Sequence, residues 1–140
     1  MPEESTTPDL AVLMRRVVEA GNARDLDGLM SFHAPDVVYD MSADGMGVLR
    51  GHAALREHLQ EWWGAYDEYE IELEEMQDLG VVVALCVFAQ RARLPGSTGW
   101  VQQRHVAIST LRDGLIERIT VYTDIHQARA AAERLAESRG

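Results

Sequence analysis

Two ionisable side chains in apolar surroundings are the strongest candidates for chemistry in this sequence. Asp40 closes an apolar run that begins at Val37, and His105 lies between Arg104 and Val106. Burial in an apolar strand should raise the pKa of a carboxyl group, which suits a base that abstracts a proton. An imidazole can act as acid, base or hydrogen-bond donor near neutral pH. We therefore predict a catalytic pair, with Asp40 as the base and His105, rather than Arg104, pointing inward.

Five further residues are predicted to bind the substrate of such a site. They are aromatic or acidic and fall near the same strands: Tyr39, Trp63, Trp100, Tyr122 and Asp124. Structural alternatives stay open for several candidates. Tyr122 can simply pack, and Asp124 can cap the helix that follows it. Asp40 can be a strand-end carboxylate bonded to backbone N–H groups, and His105 a satisfied core or interface histidine.

The composition excludes some chemistry. All thirteen basic residues are arginine, so a lysine Schiff base is excluded. Cys86 is the only cysteine and lies in an apolar run, where a buried structural thiol is favoured over a nucleophile. The remaining histidines (His33, His52, His58 and His126) lack metal-ligand spacing. We therefore predict neither a bound metal nor a cofactor.

The charge balance limits the possible partners. A net charge of −10 and a pI near 4.8 repel nucleic acid and anionic membrane surfaces. No apolar run is long enough to span a bilayer, and Met1 to Pro8 lacks the apolar core of a secretory signal. The sequence predicts a cytoplasmic protein whose partner is a small apolar or aromatic molecule.

Helical patterns dominate the first half of the chain. Residues 1–8 are predicted to be a flexible tail, and 9–140 a single domain. Helices are predicted from Pro8 to Gly21, from an Asp25 cap through Phe32, and from Gly51 to Tyr66. Asn22 and Ala23 should interrupt the first helix before the second begins, and Pro35 should end the second helix.

A short strand and a loop separate the second and third predicted helices. The strand is predicted from Val37 to Met41. Ser42 to Gly51 is rich in glycine and is predicted to be a connector or the lip of a pocket.

Strand patterns dominate the second half. Glu68 to Glu74 alternates, with Tyr69, Ile71 and Leu73 on one face and glutamates on the other. Val81 to Leu94 is predicted to be a long strand that starts apolar on both faces, which means that both are covered there, and that becomes polar from Gln90 onward. Trp100 to Asp124 is predicted to be a hairpin because Asp113-Gly114 suits a turn with two positive φ angles. His126 to Ser138 should form a closing helix.

This order predicts an α+β fold, with helices on one face of a curved antiparallel sheet. Such a sheet leaves its other face bare, and a bare apolar face invites a second copy of the chain. We therefore predict a homodimer that forms through the sheet.

Three segments resemble the nuclear transport factor 2-like superfamily, in its SnoaL-like and ketosteroid-isomerase-like branch. They are Asp36 to Asp40, Arg50 to Arg56, and Leu111 to Ile116 with the following Tyr122-Thr123-Asp124. The resemblance covers about Asp9 to Ala132. It implies a cone-shaped curved antiparallel sheet with N-terminal helices on its concave face, a deep pocket, and commonly a homodimer.

The resemblance also implies two functional alternatives. Asp40 falls where ketosteroid isomerase, itself a standard example of a carboxylate base beside an oxyanion hole, carries its base. That position favours a cofactor-free isomerase, cyclase or lyase acting on an apolar carbonyl or polycyclic substrate. A non-catalytic ligand-binding or interaction module is the alternative, because Val17 or a neighbour stands where the oxyanion tyrosine is expected. The enzyme hypothesis fails if Asp40 and His105 point to opposite sides of the sheet.

Overall fold

Four α-helices and six β-strands make up the part of the chain that the computed structural model describes, residues 10–80 and 82–139. The helices are α1 (Leu10–Ala23), α2 (Leu26–Met30), α3 (His52–Gly64) and α4 (Ile125–Arg139). The strands are β1 (His33–Asp40), β2 (Val48–Arg50), β3 (Glu68–Asp78), β4 (Val83–Arg93), β5 (Val101–Arg112) and β6 (Leu115–Tyr122). The predicted tail, 1–8, lies outside the described residues.

The six strands form one curved sheet in the order β2-β1-β6-β5-β4-β3, which confirms the predicted α+β fold. Strands β3 to β6 pair antiparallel with their neighbours. The sheet is nevertheless mixed, because β1 runs parallel to β6 and pairs Tyr39 with Ile119. A parallel neighbour needs a long crossover, and here the chain from β2 to β5 supplies it.

The turn between β5 and β6 has the geometry that its residues predict. Asp113 has a φ of 56° and Gly114 a φ of 81°, so both central positions are left-handed. Such turns match the twist of the flanking strands, and only glycine and a few polar residues adopt them at low cost. This confirms the predicted hairpin. A register shift between Thr110 and Leu111 follows the turn, and beyond it Val106 pairs with Tyr122.

The two faces of the sheet are covered by different helices. On the inner face, α1 packs through Leu10 and Met14 against Cys86 and Phe88. On the outer face, Ala128 and its α4 neighbour Ala132 pack on a second cluster of strand residues: Val83, Leu85, Val87, Val106 and Ile108. The chain's own last helix therefore accounts for the two buried faces of β4, which removes the bare face used to predict a dimer. The homodimer stays a prediction.

Several element boundaries differ from the predicted ones. Helix α1 continues through Asn22 and Ala23, because the Asn22 amide exchanges two hydrogen bonds with the Ile71 backbone, at 2.7 and 2.9 Å. The helix end is thus tied to edge strand β3. Asp25 caps α2 by accepting a bond from the Gly28 N–H, as predicted.

The segment around Pro35 is a strand rather than a helix end. Strand β1 begins at His33, and its register with β6 shifts between His33 and Val38. A proline is tolerated at such an irregularity because no ladder N–H is required there. The predicted loop from Ser42 to Gly51 contains a short 3₁₀-helix (Ser42–Asp44) and β2.

The acidic face of β3 is exposed and pairs with arginines. Glu68 and Glu70 bond to Arg93 and Arg91 on the neighbouring strand, at 2.9 and 3.3 Å. Within residues 10–80 and 82–139, no cluster of three or more His, Cys, Asp or Glu side chains is arranged to hold a metal ion. No helix in these ranges is long and apolar enough to cross a membrane.

Candidate functional site

A cavity of about 220 Å³ lies between the inner face of the sheet and helices α1 and α3. We call it the inner cavity. Its wall is mainly apolar and includes Met14, Val17, Val18, Leu55, Leu59, Trp63, Ile71, Phe88, Ile119 and Val121. Polar side chains interrupt this wall at a few places, and those places decide what chemistry the cavity can support.

A chain of hydrogen bonds crosses the inner face and ends at His105. The Tyr69 hydroxyl donates to Gln90 Oε1 at 2.6 Å, and Gln90 Nε2 lies 2.7 Å from His105 Nδ1. The Trp62 side chain also bonds to the Tyr69 oxygen. An indole N–H can only donate, so the Tyr69 hydrogen is left for Gln90. The amide hydrogen of Gln90 then points at His105, whose Nδ1 must accept.

This chain fixes the tautomer of His105. Burial lowers the pKa of His105 to about 4, with a smaller opposing effect from the Asp44 charge, so the ring is neutral at pH 7. A neutral imidazole carries one hydrogen, and because Nδ1 accepts from Gln90, that hydrogen is on Nε2. The ring stacks on Phe88 with centroids 5.3 Å apart. His105 therefore presents a positioned N–H donor in the lining of the inner cavity.

Tyr39 supplies a second polar group. Its side chain lines the inner cavity, and its hydroxyl has no hydrogen-bond partner among the described residues. Burial raises the pKa of Tyr39 to about 12, so the hydroxyl stays protonated. The ring packs against His58, with centroids 5.8 Å apart, and His58 stacks on Trp62 at 6.4 Å. These aromatic contacts hold the phenol in place.

His33 lies at the other end of β1 and also lines the inner cavity. Only 6% of its surface is exposed. Its Nδ1 lies 2.9 Å from the Leu29 carbonyl oxygen, and its own carbonyl accepts from His52 Nε2 at 2.9 Å. Burial lowers the pKa of His33 to about 4. The sequence pattern predicts no role for this histidine beyond its lack of metal-ligand spacing.

Asp40 does not face the inner cavity, which corrects the predicted catalytic pair. Tyr39 and Met41 point inward, and strand alternation therefore turns Asp40 to the outer face. Its carboxylate accepts from the Ser42 hydroxyl at 2.6 Å, from the Ser42 N–H at 2.9 Å, and from Arg118. The bonds from Ser42, followed by the Arg118 charge, lower the pKa of Asp40, whereas burial alone was expected to raise it. Asp40 and His105 thus fail the geometric condition for acting together.

Tyr122 and Asp124 are also placed by structural roles. Tyr122 packs beside the outer cluster under α4, on the face opposite to Val121. Asp124 caps α4, accepting bonds from the N–H groups of His126 at 2.8 Å and Gln127 at 3.1 Å. Neither residue lines the inner cavity. The structural alternatives, packing for Tyr122 and helix capping for Asp124, therefore describe both.

The two tryptophans that were predicted to bind the substrate lie in different parts of the structure. Trp63 is buried in the wall of the inner cavity, and its neighbour Trp62 lies in the same wall. Trp100 is 42% exposed and precedes β5. Arg91 of β4 lies over its ring, with Cζ 4.4 Å from the ring centroid. Trp100 is therefore a surface residue outside the inner cavity.

Sequence reasoning missed Asp44 as a site residue. Asp44 ends the short 3₁₀-helix, lines the inner cavity, and accepts a bond from Thr123 at 3.2 Å. The glycines at 45 and 47 both have positive φ and shape this lip. The glycine-rich segment had been interpreted as a possible pocket lip, and the carboxylate within it was the signal that could have identified Asp44.

The fold and this geometry agree with the sequence comparisons. The family model for the SnoaL-like domain matches residues 14–119, so the chain belongs to the SnoaL-like family. A search of curated proteins gave no significant match.

Solved structures of the same fold have diverse descriptions. A putative polyketide cyclase from Sinorhizobium meliloti is 25% identical, with a TM-score of 0.67 over 83% of this chain and 98% of that one. TerC, co-crystallized with polyporic acid, is 20% identical, with a TM-score of 0.69 over 88% and 97%. An epoxide hydrolase of the LEH-like type from Mycobacterium tuberculosis is 18% identical, with a TM-score of 0.70 over 91% and 92%. These likenesses establish the nuclear transport factor 2-like architecture.

Proposed function

We propose that the inner cavity binds an apolar aromatic or polycyclic molecule that carries a carbonyl group. The single observation that supports this most strongly is the fixed tautomer of His105. The bond from Gln90 to Nδ1 directs the Nε2 hydrogen into a mainly apolar space, where a hydrogen bond to a carbonyl oxygen is well shielded from water. The co-crystallized polyporic acid of the TerC structure is a ligand of this general kind.

We further propose that the site catalyses proton transfer at the carbon next to this carbonyl. Asp44 would take the proton, and the enolate oxygen would be stabilised by the Nε2–H of His105 and the hydroxyl of Tyr39. If the substrate has a double bond two carbons from the carbonyl, the product of proton removal is a dienolate, and Asp44 completes an isomerisation by returning the proton to its far carbon. If the enolate carbon instead attacks a second carbonyl of the same molecule, the C=O π bond breaks, and Asp44 completes a cyclisation by returning the proton to the new alkoxide oxygen. Burial keeps the His105 ring neutral, with its hydrogen on Nε2, and it keeps the Tyr39 hydroxyl protonated.

A binding protein without catalysis is the second candidate. Asp44 is exposed and already accepts a bond from Thr123, so its carboxylate is open to water and partly engaged by the protein itself. In this case the same cavity holds the same class of ligand, and His105 and Tyr39 only orient it.

Acetylbiphenyl is a suitable probe because it has an enolisable methyl ketone on an apolar body. We expect calorimetry to show that acetylbiphenyl binds. In His105→Phe its affinity should fall roughly tenfold, because one shielded hydrogen bond is lost. If the protein is an enzyme, it will speed exchange of the acetyl hydrogens in D₂O, followed by NMR. Asp44→Asn should abolish that exchange and retain binding.

Asp36→Asn is the matched control, because Asp36 is an exposed carboxylate paired with Arg112. It should leave both binding and exchange unchanged. Binding without exchange would support the second candidate. Failure of acetylbiphenyl to bind would contradict the proposed function in both forms.

A further inference from the structure

The ring of His33 presents a polar atom to the inner cavity that the proposed chemistry does not use. Its Nδ1 lies 2.9 Å from the Leu29 carbonyl oxygen. A carbonyl oxygen can only accept, so Nδ1 carries the hydrogen. Burial lowers the pKa of His33 to about 4, and the ring is therefore neutral at pH 7. A neutral ring with its hydrogen on Nδ1 has an unprotonated Nε2.

This second nitrogen is open to the inner cavity. Nε2 of His33 has no hydrogen-bond partner within residues 10–80 and 82–139. In the same ranges, no fully buried side-chain nitrogen or oxygen lacks a partner. Nε2 must therefore reach open space, and the inner cavity is the space that this 94%-covered side chain borders. It is a hydrogen-bond acceptor in a mainly apolar wall.

The acceptor and the donor stand at different levels of the cavity wall. His33 is paired with Ile116 near the start of β6, while Val106, the neighbour of His105, is paired with Tyr122 at its end. Six residues of strand separate these two levels, which is roughly 20 Å along the sheet. Ile116, Ile119 and Val121 all line the cavity between them. His33 and His105 therefore border the inner cavity at different levels along β6, one with an acceptor and the other with a donor.

We infer that Nε2 of His33 accepts a hydrogen bond from a hydroxyl group of the ligand. The ligand class is then an elongated aromatic or polycyclic ketone with its carbonyl at the His105 end and a hydroxyl at the far end. This inference rests on the proposed function, because it assumes that the carbonyl lies against His105. It adds a specificity-determining residue that rejects ligands lacking the distal hydroxyl, since their binding leaves the ring nitrogen without a partner.

Three matched ligands test the inference: acetylbiphenyl, its derivative with a hydroxyl at the far para position, and the methyl ether of that derivative. Binding to the full chain is measured by calorimetry. We expect the hydroxyl derivative to bind roughly tenfold more tightly than either of the others. Equal affinity of the hydroxyl derivative and acetylbiphenyl would overturn the inference, whatever any variant does.

Two variants locate the effect. In His33→Asn, the amide nitrogen can still donate to Leu29, but no acceptor remains at the position of Nε2. The preference for the hydroxyl derivative should fall to about one, while the affinity for acetylbiphenyl stays within about twofold. In His33→Gln, the longer amide returns an acceptor to that position, and part of the preference should return. An unchanged preference in His33→Asn would overturn the inference.

His105→Phe separates this inference from the proposed function. It should weaken all three ligands alike and keep the preference for the hydroxyl derivative. If acetylbiphenyl binds and that binding depends on His105, but the hydroxyl adds nothing, only the role of His33 fails. If none of the three ligands binds, the proposed function fails and takes this inference with it.

Discussion

The inner and outer faces of the same strands use polar side chains in opposite ways. On β1, Asp40 points outward and is fully engaged by Ser42 and Arg118, whereas its neighbour Tyr39 points inward with a hydroxyl that no described residue bonds. His33 and His105 also each keep one ring nitrogen for the inner cavity. Asp40 on the outer face is thus engaged by the protein itself, whereas Tyr39, His33 and His105 each bring a polar atom without a described partner to the lining of the inner cavity.

The largest expected effect tests the packing side of this comparison. Leu85→Ala in β4 and Leu59→Ala in α3 make the same chemical change on opposite sides of the sheet. Leu85 is 1% exposed and is packed under α4, so we expect it to lose about 2–5 kcal/mol of unfolding free energy. Leu59 borders space that is already open, and its loss should cost about 1–2 kcal/mol. Urea denaturation gives both values, and equal losses would contradict the distinction between a packed face and a receptive one.

The next effect tests the role of Asp40. Its pKa is lowered in the folded protein, so its ionised form adds stability above its ordinary value of 3.8, and that stability is lost as pH falls below 3.8. Asp40→Asn should therefore cost about 1–2 kcal/mol at neutral pH, reduced by the solvent around Arg118, and progressively less in acid. Urea unfolding across this pH range measures the difference. An NMR titration that gave Asp40 a raised pKa would contradict its outer placement.

A smaller effect tests the inner histidines. Burial lowers the pKa of His105 from 6.5 to about 4, so its neutral form adds stability above pH 6.5 that is lost as pH falls from 6.5 to about 4. His105→Gln has no such titration and should lose less of its melting temperature over that interval, by roughly 3–6 °C. Calorimetric melting curves of both proteins test this. Parallel curves would mean that folding does not lower the pKa of His105.

The smallest effect belongs to the outer surface of β3. Arg104 bonds Glu74 at 2.6 Å, but this pair is exposed to water and is screened by salt. Glu74→Gln should leave the urea midpoint and ligand affinity unchanged within error. A measurable change in ligand affinity would show that this outer pair communicates with the inner cavity.

Much of the fold could be predicted because local patterns and long-range packing agree. The Asp113-Gly114 pair predicts a tight turn, and the structure has one. The alternation in β3 predicts that Tyr69 and Ile71 share a face, and both line the inner cavity. Two features could not be predicted in this way: the parallel pairing of β1 with β6, and the position of α4 on the outer face. Both depend on contacts between distant segments, and no local pattern encodes them.

The site was harder to predict than the fold. Strand alternation correctly separated Asp40 from Tyr39, but it gives only relative parity and does not say which parity faces the cavity. Asp44 lies in an irregular segment where no period applies. The tautomers of His33 and His105 follow from partners on other elements, Leu29 and Gln90, which only folding brings into contact.

The pairing of β1 with β6 also affects the order in which the sheet can form during synthesis of the chain. Asp40 and Arg118, which lie on these two strands, are separated by 78 positions in the chain. While the ribosome is making the chain, β1 must wait without its central neighbour until β6 has emerged, because nothing earlier can occupy that place in the sheet. A nascent chain that stops before β6 has no site, and its unmatched β1 edge is a surface that chaperones would be expected to shield.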